Sequence, residues 1–319
     1  MSDKFSPLDY SLIMNNTEYL IHILRKSCRA YRTCMELSDL KVFRQVAESG
    51  GITRAAEQLN RVPSNVTARI QKLEHELGKP LFLREKNRLR ISVAGEQLLI
   101  HARQILNLAQ QAVEDLQDNQ PKGSLKLGAM EAVCASRLTP LLMHFHQDFP
   151  EVALEINSAP TGILIDRVLK GELDMAFVAD PPRDSRLSTT TIYTETLVLV
   201  SALQHKAIKH PKDLGTEPTL LGFNYRCAYR KRLTDWLAQD NQVAKVIEIN
   251  SYHTLLSCVA AGMGVGIIPQ VLLDNYPFRD NIKVHPLPVK WRDTRTAIIW
   301  RHDSLKPSIT AFAANAVKS

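Results

Sequence analysis

The 319-residue sequence lacks the features that would place it in a membrane or in a secreted, disulfide-rich class. No apolar run reaches the ~18 residues that a membrane span needs, and the N-terminus shows no apolar segment with a small-residue cleavage site. The five cysteines are scattered, odd in number and without a CxxC pair or a zinc spacing, which argues against a disulfide scaffold. We therefore predict a cytoplasmic protein.

Motifs of catalysis and of cofactor binding are missing as well. There is no GxSxG, HExxH or Walker loop, and the glycine-rich "GMGVG" (262–266) stands between a helix and a strand, the reverse of the dinucleotide-binding order. His144 and His146 are two residues apart, on different faces of a predicted helix, and no third metal ligand is evident. The sequence therefore predicts a protein that is not an enzyme and uses no metal or cofactor.

The positive charge of the sequence is concentrated in one segment. The net charge is +7, and residues 61–90 alone carry eight Lys and Arg against three Asp and Glu. Local positive charge of this kind is typical of nucleic-acid binding. A solvated basic surface is the alternative, and charge alone does not decide between the two.

Hydrophobic spacing favours DNA binding. "LSDLKVFRQVAES" predicts one helix that ends at Gly50-Gly51, and Ala55 and Ala56 lie on the apolar face of a second. Only Asn60, Arg61 and Val62 separate it from a third helix, which opens at Pro63 or Ser64 and stops at Gly78. Two helices joined by so short a turn form a helix-turn-helix, whose second helix enters the major groove of DNA.

Polar residues on that helix are candidates for base contacts, because amide, guanidinium and hydroxyl groups match the edges of the bases. The segment "KPLFLREKNRLRIS" that follows predicts a basic hairpin beside the phosphates. For any one residue the alternative is a solvated surface group. The predicted DNA-contacting residues are Thr53, Ser64, Asn65, Thr67, Arg69, Arg84 and Arg88.

These segments carry a family resemblance. The stretches "ITRAAEQL", "IQKLEHELGKPLFLRE", "ISVAGEQLL", "FPEVALEI", "LKGELDMAFV" and "CVAAGMGVGIIP" resemble those of LysR-type transcriptional regulators over nearly everything after Cys34. One departure is the start of the third helix, "RVPSNVT", where many members have a Ser-Gln-Pro-Ala type of sequence. Base preferences of other members therefore do not carry over to this chain.

The resemblance implies an α/β protein with a winged helix-turn-helix, a long linker helix and a two-lobed effector domain similar to periplasmic solute-binding proteins. The expected parts are a poorly ordered extension (1–34), the DNA-binding domain (35–92), the linker helix (93–120) and the effector domain (123–319). The effector domain divides into lobe I (123–199 and 289–319) and lobe II (200–288). For the extension, "YLIHILRKSCRAYR" leaves a basic surface helix as the alternative.

The linker predicts how the chain assembles. Leu98, Ala102, Ile105, Ala109, Ala112 and Leu116 alternate spacings of four and three, and Leu99, Leu106 and Val113 add a second series. Such heptads favour a helix–helix seam between two chains, and we expect a homodimer and a tetramer as the further assembly. A helix packed on its own domain is the alternative.

Beyond Gly123, short β-runs alternate with helices, a pattern that predicts α/β lobes with a ligand at the carboxyl ends of the strands. For Thr161 the alternative to ligand binding is helix capping. Glu131 is a carboxylate in the same region, and the sequence does not decide between a cationic and an anionic effector. The predicted effector-binding residues are Ala132, Val133, Cys134, Thr161, Phe223, Asn224 and Cys227.

The sequence thus predicts a sequence-specific transcriptional regulator of double-stranded DNA that is controlled by a small-molecule effector and acts with the transcription machinery, away from membranes. Two alternatives are a solute-binding protein made of residues 124–319 alone and a redox sensor that uses Cys134 or Cys227. The helix-turn-helix argues against the first, and the absence of a paired cysteine motif argues against the second.

Overall fold

The computed structural model describes residues 35–85, 88–117, 121–274, 276–304 and 306–318, and the statements below concern these ranges. The extension 1–34, for which poor order is predicted, lies outside them. The chain divides into two compact units, one ending at Leu106 and the other starting at Asn107. Within the described ranges, no helix is long and apolar enough to cross a membrane.

The first unit contains three short helices, a two-stranded hairpin and the start of a long helix. These elements are α1 (Leu37–Ser49), α2 (Ile52–Gln58), α3 (Pro63–Leu77), β1 (Phe82–Glu85), β2 (Arg88–Ile91) and α4 (Val93–Gln117). Gly78 ends α3 with a φ of 63°, a left-handed conformation that glycine adopts without steric cost. The predicted start at Pro63 and stop at Gly78 are both confirmed.

Close packing of the three helices explains the small residues of α2. Ala55 and Ala56 are 0% and 1% exposed, so α2 can approach both of its neighbours. Phe43 of α1 and Leu73 of α3 are fully buried beside them. The Phe43 ring also contacts Phe82 of β1, with 5.5 Å between the ring centroids, and this contact joins the hairpin to the helical core.

The hairpin is fixed by its neighbours on both sides. The Glu74 carboxylate of α3 accepts hydrogen bonds from the backbone N–H groups of Leu81 at 2.7 Å and Phe82 at 3.1 Å. After β2, the Ser92 hydroxyl accepts a bond from the Gly95 N–H at 3.0 Å and so caps the start of α4. A Cβ at Gly95 would lie 2.3 Å from the Leu81 carbonyl oxygen, which explains the glycine in this turn.

The first half of α4 packs on its own unit. Ala102 and Leu106 are 0% and 5% exposed in the core of the helix-turn-helix, and Leu98, Leu99 and Ile105 are half-buried against that core. Ala102 and Leu106 thus pack on the chain's own domain, as the alternative supposed, while the predicted seam between chains stays a prediction. The heptad pattern does not distinguish the two, because either arrangement buries one helical stripe.

The second unit alternates strands and helices. Its strands are β3 (Gly123–Ala129), β4 (Val152–Ser158), β5 (Met175–Ala179), β6 (Leu187–Ala202), β7 (Thr219–Gly222), β8 (Lys245–Glu248), β9 (Val265–Pro269), β10 (Ile282–Pro286) and β11 (Asp293–Arg301). Its helices are α5 (Glu131–Ser136), α6 (Leu138–Asp148), α7 (Thr161–Leu169), α8 (Ala228–Ala238), α9 (Tyr252–Ala260), α10 (Val289–Arg292) and α11 (Pro307–Lys318).

One long strand, β6, divides these elements into two lobes. Its residues 187–196 pair with β11, and the sheet continues through β5 and β3 to β4. Its residues 197–202 pair with β9 and β10, and the sheet continues through β7 to β8. We call the first group of strands lobe I and the second lobe II. In both lobes the parallel strands direct their carboxyl ends, where ligands bind in such sheets, to one edge.

Candidate functional sites

The first candidate site is the exposed start of α3. Val66 and Ile70 are buried on the inner face, so the helix presents Ser64 and Asn65 to solvent in its first turn. Thr67 is half-buried and its hydroxyl donates a hydrogen bond to the Pro63 carbonyl at 3.0 Å. Ser64 and Asn65 are therefore the polar groups best placed to reach the bases of DNA.

Arg69 is held inside the unit by a buried acid. Asp39 of α1 is 1% exposed, and its carboxylate accepts from the Arg69 guanidinium at 2.5 Å and from the Lys72 ammonium at 3.0 Å. The Ser38 hydroxyl accepts a further bond from Arg69 at 2.9 Å. In this structure the guanidinium joins α3 to α1, and the predicted base contact of Arg69 stays a prediction.

The other predicted DNA-contacting residues lie on α2 and on the hairpin. Thr53 is exposed in the first turn of α2. The backbone of Arg84 pairs with Leu89, and that of Arg88 pairs with Glu85, in the antiparallel hairpin. The side chains of Arg84 and Arg88 lie outside the described part of the chain, so the predicted phosphate contacts remain a prediction.

The second candidate site is a cavity of about 210 Å³ between lobe I and lobe II. Its walls come from the ends of strands and the first residues of the helices that follow them, as expected for an α/β binding site. The lining residues are Met130, Glu131, Ser158, Ala159, Pro160, Thr161, Phe223, Asn224, Cys227, Ala228, Tyr229, Asn250 and Tyr252.

Four of the seven predicted effector residues line this cavity, namely Thr161, Phe223, Asn224 and Cys227. The other three, Ala132, Val133 and Cys134, are not among its lining residues. Ala132 and Val133 are each 3% exposed in the core of the second unit, because α5 directs them toward the sheet.

Sequence reasoning missed the two tyrosines and Asn250 that complete the lining. Tyr229 and Tyr252 stand in the first turns of α8 and α9, directly after strands. Their position at the start of a helix that follows a strand could have identified them, because Thr161 has the same position at the start of α7.

Thr161 connects two strand ends at the base of the cavity. Its hydroxyl donates to the Met130 sulfur at 3.1 Å and accepts from the Ala179 N–H at 3.3 Å. The N-cap position of α7 belongs to Pro160, so the alternative that Thr161 caps the helix is wrong. With Thr161 only 7% exposed, its hydroxyl fixes the geometry of the site.

Glu131 is an acidic residue with half of its carboxylate unpaired. Its Oε1 accepts a hydrogen bond at 3.2 Å from the Tyr252 N–H, across the two lobes. Its Oε2 is buried and has no hydrogen-bond partner among the described residues. Burial raises the pKa of this carboxyl group, and the Tyr252 N–H and the nearby His253 oppose the rise.

Two ion pairs hold the lobes together beside the cavity. Arg226 of lobe II contacts the Asp166 carboxylate of α7 at 2.5 Å and also bonds the Gly162 carbonyl oxygen. Arg232 of α8 contacts Asp180, just after β5, at 2.6 Å. The structure therefore has its lobes in contact beside the cavity.

A helix-turn-helix followed by a long helix and a two-lobed α/β unit with a cavity defines a class of ligand-responsive DNA-binding regulators. The comparisons with known proteins agree with this architecture. Residues 37–96 match the bacterial regulatory helix-turn-helix protein family of the lysR type, and residues 118–318 match the LysR substrate binding domain. The chain belongs to the LysR family of transcriptional regulators, and it is a DNA-binding regulator with an effector-binding domain.

Relatives with similar sequences are transcriptional regulators of Bacillus. The chain is 36% identical over 272 residues to the HTH-type transcriptional regulator CzcR of a Bacillus cereus strain, and the match covers 85% of this chain and 92% of that protein. It is 37% identical over 273 residues to the HTH-type transcriptional regulator YofA of Bacillus subtilis (strain 168), covering 84% and 93%.

Solved structures share the fold over most of the chain. A full-length OxyR variant from Pseudomonas aeruginosa is similar with a TM-score of 0.71 and 26% identity, covering 88% of this chain and 94% of that one. CbnR in complex with its target DNA is similar with a TM-score of 0.60 and 22% identity, covering 89% and 99%, and at this identity the likeness concerns the fold alone.

Proposed function

We propose that this regulator reads its operator through the first turn of α3 and changes its activity when a small molecule fills the cavity between the lobes. The observation that carries the first half is the exposure of Ser64 and Asn65 above a buried inner face. The cavity of about 210 Å³, with polar and aromatic walls, supports the second half.

We propose that residues 35–92 bind DNA and that residues 123–319 bind the effector. The effector-binding part has two lobes, which are 123–199 plus 289–319 and 200–288. The linker segment 93–120 then provides the contact between copies in a homodimer, and two dimers form a tetramer. The exposed apolar residues Leu108 and Val113 of α4, at 59% and 49% exposure, support this contact. The regulator acts on promoter DNA with the transcription machinery, and therefore in the cytoplasm.

The environments of Cys134 and Cys227 argue against the alternative of a redox sensor. Burial raises the pKa of the Cys134 thiol and of the Cys227 thiol, so the reactive thiolate of either is disfavoured at neutral pH. The alternative of a solute-binding protein leaves the whole first unit without a role. We propose no catalytic activity for this chain.

The experiment for DNA reading uses Asn65→Ala on an operator selected from random duplexes. If the Asn65 amide bonds one adenine, the variant loses about 1–3 kcal/mol of discrimination at one base position and keeps its affinity elsewhere. Fluorescence anisotropy with single-base operator variants measures this. Asn281→Ala, at an exposed position of lobe II, is the matched control and should bind as the wild type does.

Uniform weakening of Asn65→Ala on every duplex would contradict base reading, because a contact with phosphate lowers affinity without regard to sequence. Affinity of the wild type should also fall steeply between low and physiological salt, since the basic segment 61–90 displaces counterions.

A further inference from the structure

The cavity holds a carboxylate whose second oxygen has no partner in the part of the chain that the structure describes. Oxygen Oε2 of Glu131 is buried and unbonded among the described residues, although Oε1 is satisfied by the Tyr252 N–H. A buried carboxylate oxygen without a donor costs the full desolvation free energy of that group. A ligand that brings a donor to this oxygen would recover that free energy on binding.

None of the other side chains that line the described cavity offers this oxygen a positively charged donor. Among the described lining residues there is no lysine, arginine or histidine, and Glu131 is the single carboxylate. The positively charged groups beside the cavity are engaged by the protein, because Arg230 donates to the Phe223 carbonyl oxygen at 2.9 Å and to Glu248 at 2.7 Å, and Arg226 is paired with Asp166. His253, next to Tyr252, is not a lining residue. The side-chain charge facing a ligand is therefore negative.

Helix starts around the cavity act in the opposite direction, but two of their N–H groups are already bonded to the protein. Glu131, Thr161, Ala228 and Tyr252 are each the first residue of a helix, and such ends attract negative charge. The Tyr252 N–H is already bonded to Glu131, and the Gly162 N–H is bonded to the Arg226 carbonyl oxygen at 3.1 Å. The start of α9 thus stabilises the carboxylate of Glu131 itself.

Aromatic rings complete a wall suited to the apolar body of a small cation. The rings of Phe223 and Tyr252 pack with their centroids 4.8 Å apart, and Tyr229 lines the same cavity. Aromatic faces attract ammonium groups as well as apolar groups, and a carboxylate beside them adds the ion pair.

We propose that the effector carries an ammonium group that donates to Glu131 Oε2, with its apolar body against Phe223 and Tyr252. This inference rests on the proposed function, because it assigns the chemical class of the ligand for the same cavity. A small primary amine or an amino acid meets the requirement, and a purely anionic carboxylate does not.

The test is a thermal-shift and calorimetry series on the full chain with three probes of matched shape. Phenethylamine has the ammonium group alone, phenylalanine has an ammonium and a carboxylate, and 3-phenylpropionate has the carboxylate alone. We expect the amine, the amino acid or both to raise the melting temperature, and the carboxylate not to do so. In Glu131→Gln, which keeps the acceptor for Tyr252, the affinity for the ammonium probe should fall about 10- to 100-fold.

Glu155→Gln is the matched control, because it removes an exposed carboxylate of β4 in the same lobe and should leave the affinity unchanged. Binding of 3-phenylpropionate alone, or ammonium binding that survives Glu131→Gln, would overturn the ammonium assignment and leave the effector cavity in place. If none of the probes binds, and a wider set of amines, acids and neutral compounds also gives no shift, the proposed effector function of this cavity fails together with the inference.

Discussion

At the residue scale, Arg69 shows why a helical pattern alone does not identify DNA contacts. The pattern places Arg69 on the polar face of α3 together with Asn65, and both residues are chemically suited to bases. Only the packing of α1 shows that Asp39 is buried and takes the guanidinium. An aspartate in the first turn of a helix resembles a surface acid in sequence, so its burial could not be predicted.

Thr161 and Glu131 were both identified at strand ends, yet their partners could not be read from the sequence. Thr161 bonds Met130 and Ala179, and Glu131 bonds Tyr252, which lies 121 residues away in the chain. Side-chain pairs between lobes depend on how the lobes close. The alternation of strands and helices predicts the edge where a ligand binds, but not which hydrogen bonds remain unmade there.

A buried histidine in lobe II predicts a loss of stability in acid. His285 is 2% exposed, its Nδ1 accepts from the Ile208 N–H at 3.0 Å, and its Nε2 lies 2.8 Å from the Ser201 hydroxyl. Burial lowers its pKa to about 4, with His205 and Lys283 adding to the effect. The folded state thus holds the neutral ring while the unfolded chain takes up a proton below about pH 6.5.

The stabilisation from His285 should be fully present above pH 6.5 and lost as the pH falls from there toward 4, by up to about 3 kcal/mol. Thermal melts across this range measure it. His285→Gln lacks the titrating group, so its melting temperature should depend less on pH in this window. His144→Gln, at an exposed position of α6, is the control and should keep the wild-type profile. Identical profiles for all three proteins would contradict this account.

At the scale of elements, strands were predicted where they are apolar and missed where they are polar. Short β-runs were predicted beyond Gly123, and one of them, the apolar "LVLVSA", is the second part of β6. The first part, "LSTTTIYTET", alternates buried and exposed residues with threonines and was not predicted. It pairs with β11 over the whole length of that strand, so the threonines are explained by half-exposed pleated positions.

The long helix α4 also shows what an apolar pattern does not determine, namely which surface covers it. Its apolar stripe was predicted correctly as buried at Ala102 and Leu106, but the surface that buries it is the chain's own core. The apolar residues of α4 that remain exposed lie further along, at Leu108 and Val113. If copies of the chain meet along α4, this later part is the expected contact.

The double variant Leu108→Glu, Val113→Glu tests that contact. Charges placed in an apolar helix pair are costly without partners, so the dimer should dissociate and operator affinity should fall with it. Because both side chains are exposed in the single chain, the melting temperature of the monomer should change little. Sedimentation velocity measures the assembly.

Val317→Glu, at another exposed apolar position of 61% exposure, is the control and should leave the dimer intact. A double variant that still sediments as a dimer would move the proposed interface away from α4.

At the scale of the whole second unit, the two ion pairs between the lobes differ in the number of bonds that support them. The Asp180 carboxylate accepts from Arg232, from the Thr294 hydroxyl at 2.9 Å and from the Arg295 N–H at 3.2 Å. Asp166 accepts from Arg226, and its side chain is 48% exposed. Exposed pairs contribute about 0.2–1 kcal/mol, so we expect the Arg226 side of the cavity to open first.

This difference predicts unequal effects of two matched substitutions. Asp166→Asn should lower the free energy of unfolding by less than about 1 kcal/mol, whereas Asp180→Asn should lower it by roughly 1–3 kcal/mol because three donor groups lose their charged acceptor. Asparagine also tolerates the left-handed φ of 44° at position 180, so backbone strain does not confuse the comparison. In Asp166→Asn, hydrogen exchange at the Gly162 N–H should accelerate while the amides of β5 keep their protection. Exchange that accelerates equally in both places would show that the second unit loosens as a whole instead of opening on one side of its cavity.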